Sequence, residues 1–297
     1  MTKYISLING KFTDSVPVLD RGLAYGDGFF ETMFWTSKAN QNESKQFGVE
    51  FWHQHLNRIK KGCKILKIKF PEDKTILQHR ERILKKSFSS GIKSGILKII
   101  ITRGVGGRGY KFERNMEPTI IFLTFPSPKY NEKLYTTGIK ARYCKSELSC
   151  NKDLFGLKHL NRLDSVLARS EWEEDFFEGI FLDKKNNLLE GTMTNIFFIK
   201  KNKLYTPLIF ESGINGVMRE IVIKRSKLFF EKLVVRKINK SIVNDFDQMF
   251  LTNSIIKILP VISLANKKFK ISDNLKSLVE YFNVNEPREM KKKLEIF

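Results

Sequence analysis

Three cysteines in 297 residues, Cys63, Cys144 and Cys150, are too few to staple a fold. No two stand in a CxxC pair or at metal-ligand spacing. Their odd number argues against a disulfide framework, so a reducing compartment is expected. The four histidines, His53, His55, His79 and His159, show no HExxH or related zinc pattern, and no metal is expected. No run approaches the ~20 apolar residues of a membrane span. The opening MTKYISLINGKFTDS lacks the apolar stretch of a signal peptide. Internal repeats and low-complexity segments are missing too. A soluble cytoplasmic protein with no membrane partner is the expectation.

Acidic residues are in deficit: 32 Asp and Glu stand against 53 Lys and Arg, a net charge of +21. A nucleic-acid partner is one reading of such a charge. The positive residues are spread along the whole chain beside Ile, Asn and Phe, so a bias of composition accounts for them and no nucleic-acid partner is expected. A basic surface would still attract an anionic small molecule. Apolar content of 41% and charged content of 29% are globular values, and the length allows one large or two ordinary domains.

The pattern along the chain is mixed α/β. Tyr4–Ile8 reads as a strand and Asn9-Gly10 as a hairpin turn. Residues 20–28, DRGLAYGDG, read as an ordered loop and 29–35 as a strand. Apolar residues at helical spacing predict helices over 51–66 and 72–90, and apolar runs predict strands over 95–102 and 119–125. Pro126-Ser127-Pro128 breaks the pattern. An N-terminal domain over 1–125, a linker at 126–134 and a larger domain over 135–297 are expected. The second half alternates strands (138–144, 178–182, 189–199, 203–206, 233–238, 248–252, 258–264) with helices (159–174, 217–231, 241–245, 274–283). A charged, frayed tail, NEPREMKKKLEIF, closes it.

Several residues on this frame could carry chemistry. Lys158 stands just before the expected helix 159–174, whose stripe of Leu160, Leu163, Val166 and Leu167 would seat it on a core. A lysine stripped of solvent loses its proton more readily and becomes a nucleophile and base. Glu190 follows a strand and a polar turn at the head of EGTMTN. A lysine and a buried carboxylate together suit pyridoxal phosphate: one forms a Schiff base with the aldehyde, the other keeps the pyridine nitrogen protonated. In GINGVMRE, Gly213, Asn215 and Gly216 make a turn opening a helix at Val217, whose first amides would suit a phosphate. Asn253 and Ser254 end a strand and could complete a phosphate cup. Arg58, on HLNR, could reach a phosphate with a forked contact. RGVGGRGY, residues 103–110, lacks the GK[ST] of a P-loop, and its Arg103 and Arg108 would suit a substrate with carboxylates.

These segments, in this order, resemble the fold-type-IV pyridoxal phosphate enzymes: branched-chain aminotransferases, D-amino-acid aminotransferases and 4-amino-4-deoxychorismate lyases. The resemblance runs from LINGKF and DRGLAYGDGFFET through HLNRIKKG, the Lys158 segment, EGTMTNIFF and GINGVMRE to LTNSIIKILPV. LKHLNRLDSVLARS, TRGVGGRGY and GINGVMR look most like the lyases. Leu163 stands where a branched-chain enzyme typically has tyrosine. Glu31 in FFET looks aminotransferase-like, and Thr192 and Thr194 fit either activity. The resemblance implies two α/β domains with the cofactor, pyridoxal 5'-phosphate, between them, and a homodimer. It implies Lys158 as Schiff-base lysine and Glu190 as partner of the pyridine nitrogen. Arg58, the amides of Val217 and Met218, and Asn253-Ser254 would hold the phosphate, and Arg108 a substrate carboxylate. The implied activity is a lyase forming 4-aminobenzoate and pyruvate for folate biosynthesis, with an aminotransferase of the same fold as the alternative.

Overall fold

The computed structural model describes residues 3–39 and 45–285, and the expected frayed tail lies outside them from Glu286 onward. The chain divides into two compact units. One holds the described residues up to Lys129 and also Leu157–Asn161; the other holds Tyr130–Gly156 and the described residues from Arg162. The expected domain over 135–297 is therefore interrupted: Leu157–Asn161 pack with the first unit.

The first unit runs β1 (Ile5–Ile8), α1 (Arg21–Tyr25), β2 (Gly28–Ala39), β3 (Lys45–Val49), α2 (Trp52–Leu66), α3 (Asp73–Ser89), β4 (Ser94–Thr102) and β5 (Thr119–Pro126). Its antiparallel sheet has the order β1-β5-β4-β2-β3. Side chains alternate across it with the period of two that a pleated strand imposes. Leu97, Ile99 and Ile101 of β4 point to the buried face. Opposite them, in register, stand Met33, Glu31 and Phe29 of β2, all buried. Helix α2 packs on β2, and α3 on β5 and β1. Leu56, Ile59 and Cys63 form the buried stripe of α2. At the Asn9-Gly10 turn both residues have positive φ, 47° and 77°, as a tight hairpin turn requires. The loop expected over 20–28 contains a short helix instead. The Asp20 carboxylate caps α1 by accepting from the Gly22 amide at 2.8 Å, and Gly26 ends it in the left-handed conformation.

The second unit runs α4 (Lys133–Thr137), β6 (Ile139–Tyr143), α5 (Leu163–Arg169), β7 (Glu178–Leu182), β8 (Leu188–Gly191), β9 (Asn195–Lys200), β10 (Lys203–Pro207), α6 (Val217–Arg225), β11 (Lys232–Arg236), β12 (Gln248–Asn253), β13 (Lys257–Leu264), β14 (Lys267–Lys268) and α7 (Asp273–Glu280). Its nine strands form a mixed sheet ordered β11-β10-β9-β12-β13-β6-β7-β8, with β14 on β13. The pairs β6–β7, β6–β13 and β10–β11 are parallel. The central strands β9 and β12 are buried on both faces. Phe198 stacks on Phe246 at 4.6 Å and Phe197 on Phe250 at 4.9 Å. Truncating one such ring to alanine costs about 3–5 kcal/mol, so this layer holds the unit together.

Four expected elements change. The helix over 159–174 contracts to α5, and its apolar stripe does not seat on a core: Leu163, Val166 and Leu167 are 73%, 60% and 60% exposed. The helix over 217–231 ends at Arg225, followed by a 3-10 turn over Ser226–Leu228. The segment 241–245 is a 3-10 turn, Lys240–Asp245. The strand over 189–199 is two strands, β8 and β9, split by a turn at residues 192–194. Among the described residues no helix is long and apolar enough to cross a membrane.

Candidate active site

Lys158 is placed by its backbone. Strand β3 pairs only with the far half of β2, from Trp35 on. Along the near half the segment around Lys158 takes that position. Phe30 N–H donates to the Lys158 carbonyl at 3.0 Å, Leu160 N–H donates to the Gly28 carbonyl at 3.0 Å, and His159 bridges Phe29. A Cβ at Gly28 would lie 2.4 Å from the Ile101 carbonyl oxygen of β4 and 3.0 Å from Leu160 Cδ1, so glycine lets both neighbours approach β2 here. The side chain of Lys158 is half-buried, with Nζ 4.4 Å from the centre of the Phe30 ring. Lys98 of β4 approaches the same ring at 4.9 Å, and burial pushes its ammonium below the usual lysine value.

Arg58 sits beside this segment, in a buried ionic cluster. Its Nε and Nη2 donate to the two oxygens of Glu31, each at 2.6 Å. His55 Nδ1 lies 2.6 Å from Glu31 Oε2. Burial would raise the Glu31 carboxyl, but the Arg58 charge and the His55 hydrogen bond overcome it and hold it at about 2. Burial pushes His55 down against the pull of Glu31, with the charges of Arg58 and Lys158 adding to the fall. The forked contact expected between Arg58 and a phosphate is made to Glu31.

The glycine-rich loop is pinned, and its two arginines differ. Arg103 is buried, donating to both Asp27 oxygens (2.7 and 2.9 Å) and to the carbonyls of Leu66 and Lys67. It is structural, and the substrate role expected for it does not fit. Arg21 also pairs with Asp27 at 2.9 Å and donates to the carbonyls of Gly109 and Tyr110. Arg108 lies between these anchors with an exposed side chain.

Within the second unit Glu190 is the third residue of β8, with its side chain buried. Its Oε2 accepts from the Ile214 amide at 2.7 Å. The charges of Arg162 and Arg219 face it; both guanidinium groups are lowered by burial, Arg219 to about 10, and Glu190 opposes the fall in each. The Ile214 carbonyl accepts from Asn195 Nδ2 at 2.9 Å. The segment Gly213–Gly216 is thus held at both ends of one residue, and it leads straight into α6. Gly216 gives no side-chain cap, and the first helical hydrogen bond is Glu220 N–H to the Gly216 carbonyl. The amides of Val217 and Met218 therefore have no partner within the helix, the arrangement that binds a phosphate. Asn253 is engaged with its own backbone surroundings. Its Oδ1 accepts from the Ile255 and Ile256 amides at 2.9 Å, and its Nδ2 donates to the Met193 carbonyl at 3.2 Å. Ser254 follows it in the turn.

Glu190, Val217 and Met218 are thus joined through the 213–216 segment, and Asn253 is joined to the turn after Glu190. Three residues that matter here escaped the sequence reading: Asn195, Arg219 and Glu178. Only Glu178 left a signal, a lone acid between Phe177 and the apolar run Gly179–Leu182. A separate cavity of about 870 Å³ in this unit, bordered by Tyr130, Arg169, Phe177 and Met193, contains none of the expected site residues. Among the described residues no cluster of His, Cys, Asp and Glu could hold a metal ion.

Within the second unit a buried carboxylate and an uncapped helix start stand on either side of one short segment, an arrangement that suits an anionic, ring-containing group; within the first, a half-buried lysine lies on an ordered backbone pairing. The comparisons with known proteins agree with this class. Residues 28–264 match the model of the amino-transferase class IV family, so the chain belongs to that family. It is 31% identical to the aminodeoxychorismate lyase of Vibrio harveyi, over 89% of this chain and 93% of that protein. The crystal structure of 4-amino-4-deoxychorismate lyase from Pseudomonas aeruginosa superposes with a TM-score of 0.80 at 31% identity, covering 98% and 99% of the two chains. A protein of Methanocaldococcus jannaschii that carries a branched-chain-amino-acid aminotransferase name is 30% identical, over 93% and 94%.

Proposed function

We propose that the protein is a pyridoxal 5'-phosphate-dependent 4-amino-4-deoxychorismate lyase, cleaving its substrate to 4-aminobenzoate and pyruvate. The observation that carries the cofactor is Glu190, buried against the Ile214 amide at the head of a segment that opens onto the bare amides of α6. One end of that arrangement suits a protonated ring nitrogen, the other a phosphate. The lyase reading is supported by the likeness to two lyases at 31% identity over nearly all of each chain.

Pyridoxal 5'-phosphate, when bound, supplies an aldehyde that captures amines and a protonated ring that draws electrons from the carbon bearing the substrate nitrogen. Lys158 would supply the amine that holds the aldehyde, and its Nζ would be the base that takes the proton from the substrate carbon bearing nitrogen. Glu190, which accepts from the Ile214 amide and faces the charges of Arg162 and Arg219, would hold the proton on the ring nitrogen. The amides of Val217 and Met218, with Ser254, would bind the phosphate. Arg108 meets a substrate carboxylate from its pinned loop. Loss of the enolpyruvyl oxygen as pyruvate leaves a ring that aromatises to 4-aminobenzoate, and atoms balance without any further reactant. A cytoplasmic homodimer is part of this proposal.

Aminotransferase activity is the second reading, favoured by Glu31 in FFET and by the Methanocaldococcus jannaschii relative. Both reactions begin with the same proton removal by Lys158. The test is purified protein with added cofactor and enzymatically generated aminodeoxychorismate. Equal amounts of 4-aminobenzoate and pyruvate are expected. Amino transfer from D-alanine or a branched-chain amino acid to a keto acid, without those products, moves the protein to the aminotransferases. Lys158→Ala should abolish turnover and the visible band of the lysine-bound cofactor; near-normal activity in that variant ends the proposal.

A further inference from the structure

Glu178 is the first residue of β7 and is fully buried. Its two oxygens accept from five donors. Oε1 takes the Gly179 amide at 3.0 Å, the Thr192 amide at 3.0 Å and the Thr192 hydroxyl at 2.5 Å. Oε2 takes the Met193 amide at 3.2 Å and the Thr194 hydroxyl at 2.8 Å. All four residues belong either to β7 itself or to the turn that joins β8 to β9. The pocket is closed around the carboxylate: a Cβ on Gly191 would lie 2.3 Å from Thr194 Oγ1 and 2.7 Å from Glu178 Oε2.

That turn is the hub of the proposed cofactor residues in this unit. Glu190 stands immediately before it. Asn195 stands immediately after it and holds the Ile214 carbonyl, while the Ile214 amide donates to Glu190. The Met193 carbonyl, at its tip, accepts from Asn253 Nδ2. A shift of the turn would move all three contacts together. A carboxylate is the side chain best suited to five donors converging on two atoms, because both atoms accept, with about four lone-pair sites that the donors must share. Glutamine would offer one accepting oxygen and present an NH₂ to the donors opposite.

We propose that Glu178 is a positioning residue for the cofactor: it clamps the Gly191–Thr194 turn and thereby sets Glu190 against the ring nitrogen and Asn253 beside the phosphate. This rests on the cofactor reading above. Glu178 does not touch the cofactor and acts only through the turn.

The test measures cofactor binding and the state of its ring nitrogen. Pyridoxal 5'-phosphate is dialysed to equilibrium against the wild-type, E178Q, E178D and E190Q proteins, and ring-¹⁵N-labelled cofactor reports nitrogen protonation by NMR. E178Q should bind about tenfold more weakly, the size of one lost hydrogen bond to a charged group. Its nitrogen signal should move from the pyridinium position part of the way to that of E190Q. E178D keeps the charge on a shorter stem and should recover part of both losses. A general loosening of the unit would lower the unfolding temperature without moving the nitrogen signal. E178Q that binds within about twofold of wild type, a range below the roughly 0.5 kcal/mol that such a contact exceeds, with an unmoved signal, overturns the inference. Wild-type protein that fails to bind the cofactor overturns the cofactor reading itself, and this inference with it. Should E178Q not fold, T192V and T194V each remove one hydroxyl donor and keep the carboxylate. Weaker binding in either supports the clamp, and wild-type affinity in both refutes it.

Discussion

Two buried glutamates, one in each unit, are kept in the fold by opposite means. Glu31 and Glu178 are 1% and 0% exposed. Glu31 meets charge: the Arg58 fork and His55 surround it, and its carboxyl falls to about 2. Glu178 meets only dipoles. Three amides and two hydroxyls converge on it, and among the described residues no cation pairs with it. Burial raises its carboxyl, and the five hydrogen bonds only reduce the rise. The difference lies in what each ties together. Glu31 joins a strand to a helix, and removing it strands a buried cation. Glu178 joins a strand to a turn, and removing it frees donors but leaves no charge behind. The first is a device of stability above all; the second is one of position.

Glu31→Gln should break the comparison most severely. Arg58 and His55 would lose their carboxylate in a place with little access to water. Uncompensated buried charge costs about 3–5 kcal/mol, and urea unfolding at neutral pH should show a loss of that size. Glu178→Gln should cost about 1–3 kcal/mol, the range for donors left without an acceptor. Equal losses in the two variants would remove the distinction between the clusters.

How much of this was open to a reader of the sequence follows from the range of the interactions involved. Strands β1, β2, β4 and β5 of the first unit were legible, and β3 was not; in β4, Leu97, Ile99 and Ile101 alternate with outward residues and need only their own neighbours to do so. Helices α2 and α3 were legible from apolar spacing, as was the turn at Asn9-Gly10. Lys158 stood out through its company, but its setting did not. The helix expected over 159–174 loses its first turn because Leu157–Asn161 pair with β2, a partner some 130 positions away in the chain. Nothing local distinguishes Leu163 and Val166, which are exposed, from apolar residues that seat a helix. Arg103 and Arg108 look alike on one glycine-rich loop; Asp27, far back in the chain, takes one and leaves the other. Thr192 and Thr194 read as possible site residues, whereas their hydroxyls serve Glu178. In each case the missing piece is a long-range polar contact with no periodicity to announce it.

A smaller effect sharpens the comparison by its sign. Glu31 has a folded value below its ordinary 4.5. Its contribution is complete above about 4.5 and is lost as pH falls towards about 2. That is about 3 kcal/mol, taking roughly 1.4 kcal/mol for each tenfold change in proton affinity, and it emerges only over that acid range. Glu178 has a folded value above 4.5. Its contribution is complete below 4.5 and is lost as pH rises through the folded value. Unfolding free energies of wild type, E31Q and E178Q across acid pH give the two difference curves. Subtracting E31Q should leave a curve that rises with pH, and subtracting E178Q one that falls. Slopes of the same sign would contradict the contrast drawn from the structure.

The smallest effect belongs to a pair that resembles Glu31–Arg58 in distance and in nothing else. Lys60 Nζ lies 2.7 Å from Asp73 Oδ2, but the two side chains are 42% and 50% exposed. Water already solvates both ions, so bringing them together releases little. Holding two long side chains in one geometry costs entropy that offsets most of the gain. Lys60→Met keeps an apolar stem and removes the charge, and with it the ammonium that lies 5.4 Å from the centre of the Phe70 ring. Its cost should stay below about 0.5 kcal/mol and vanish in 1 M salt, where screening reaches within about 3 Å. The Glu31→Gln loss should persist in the same salt, because ions cannot enter the cluster to screen it. A Lys60→Met loss comparable to that of Glu31→Gln would mean that contact distance, and not exclusion of water, decides what these carboxylates contribute.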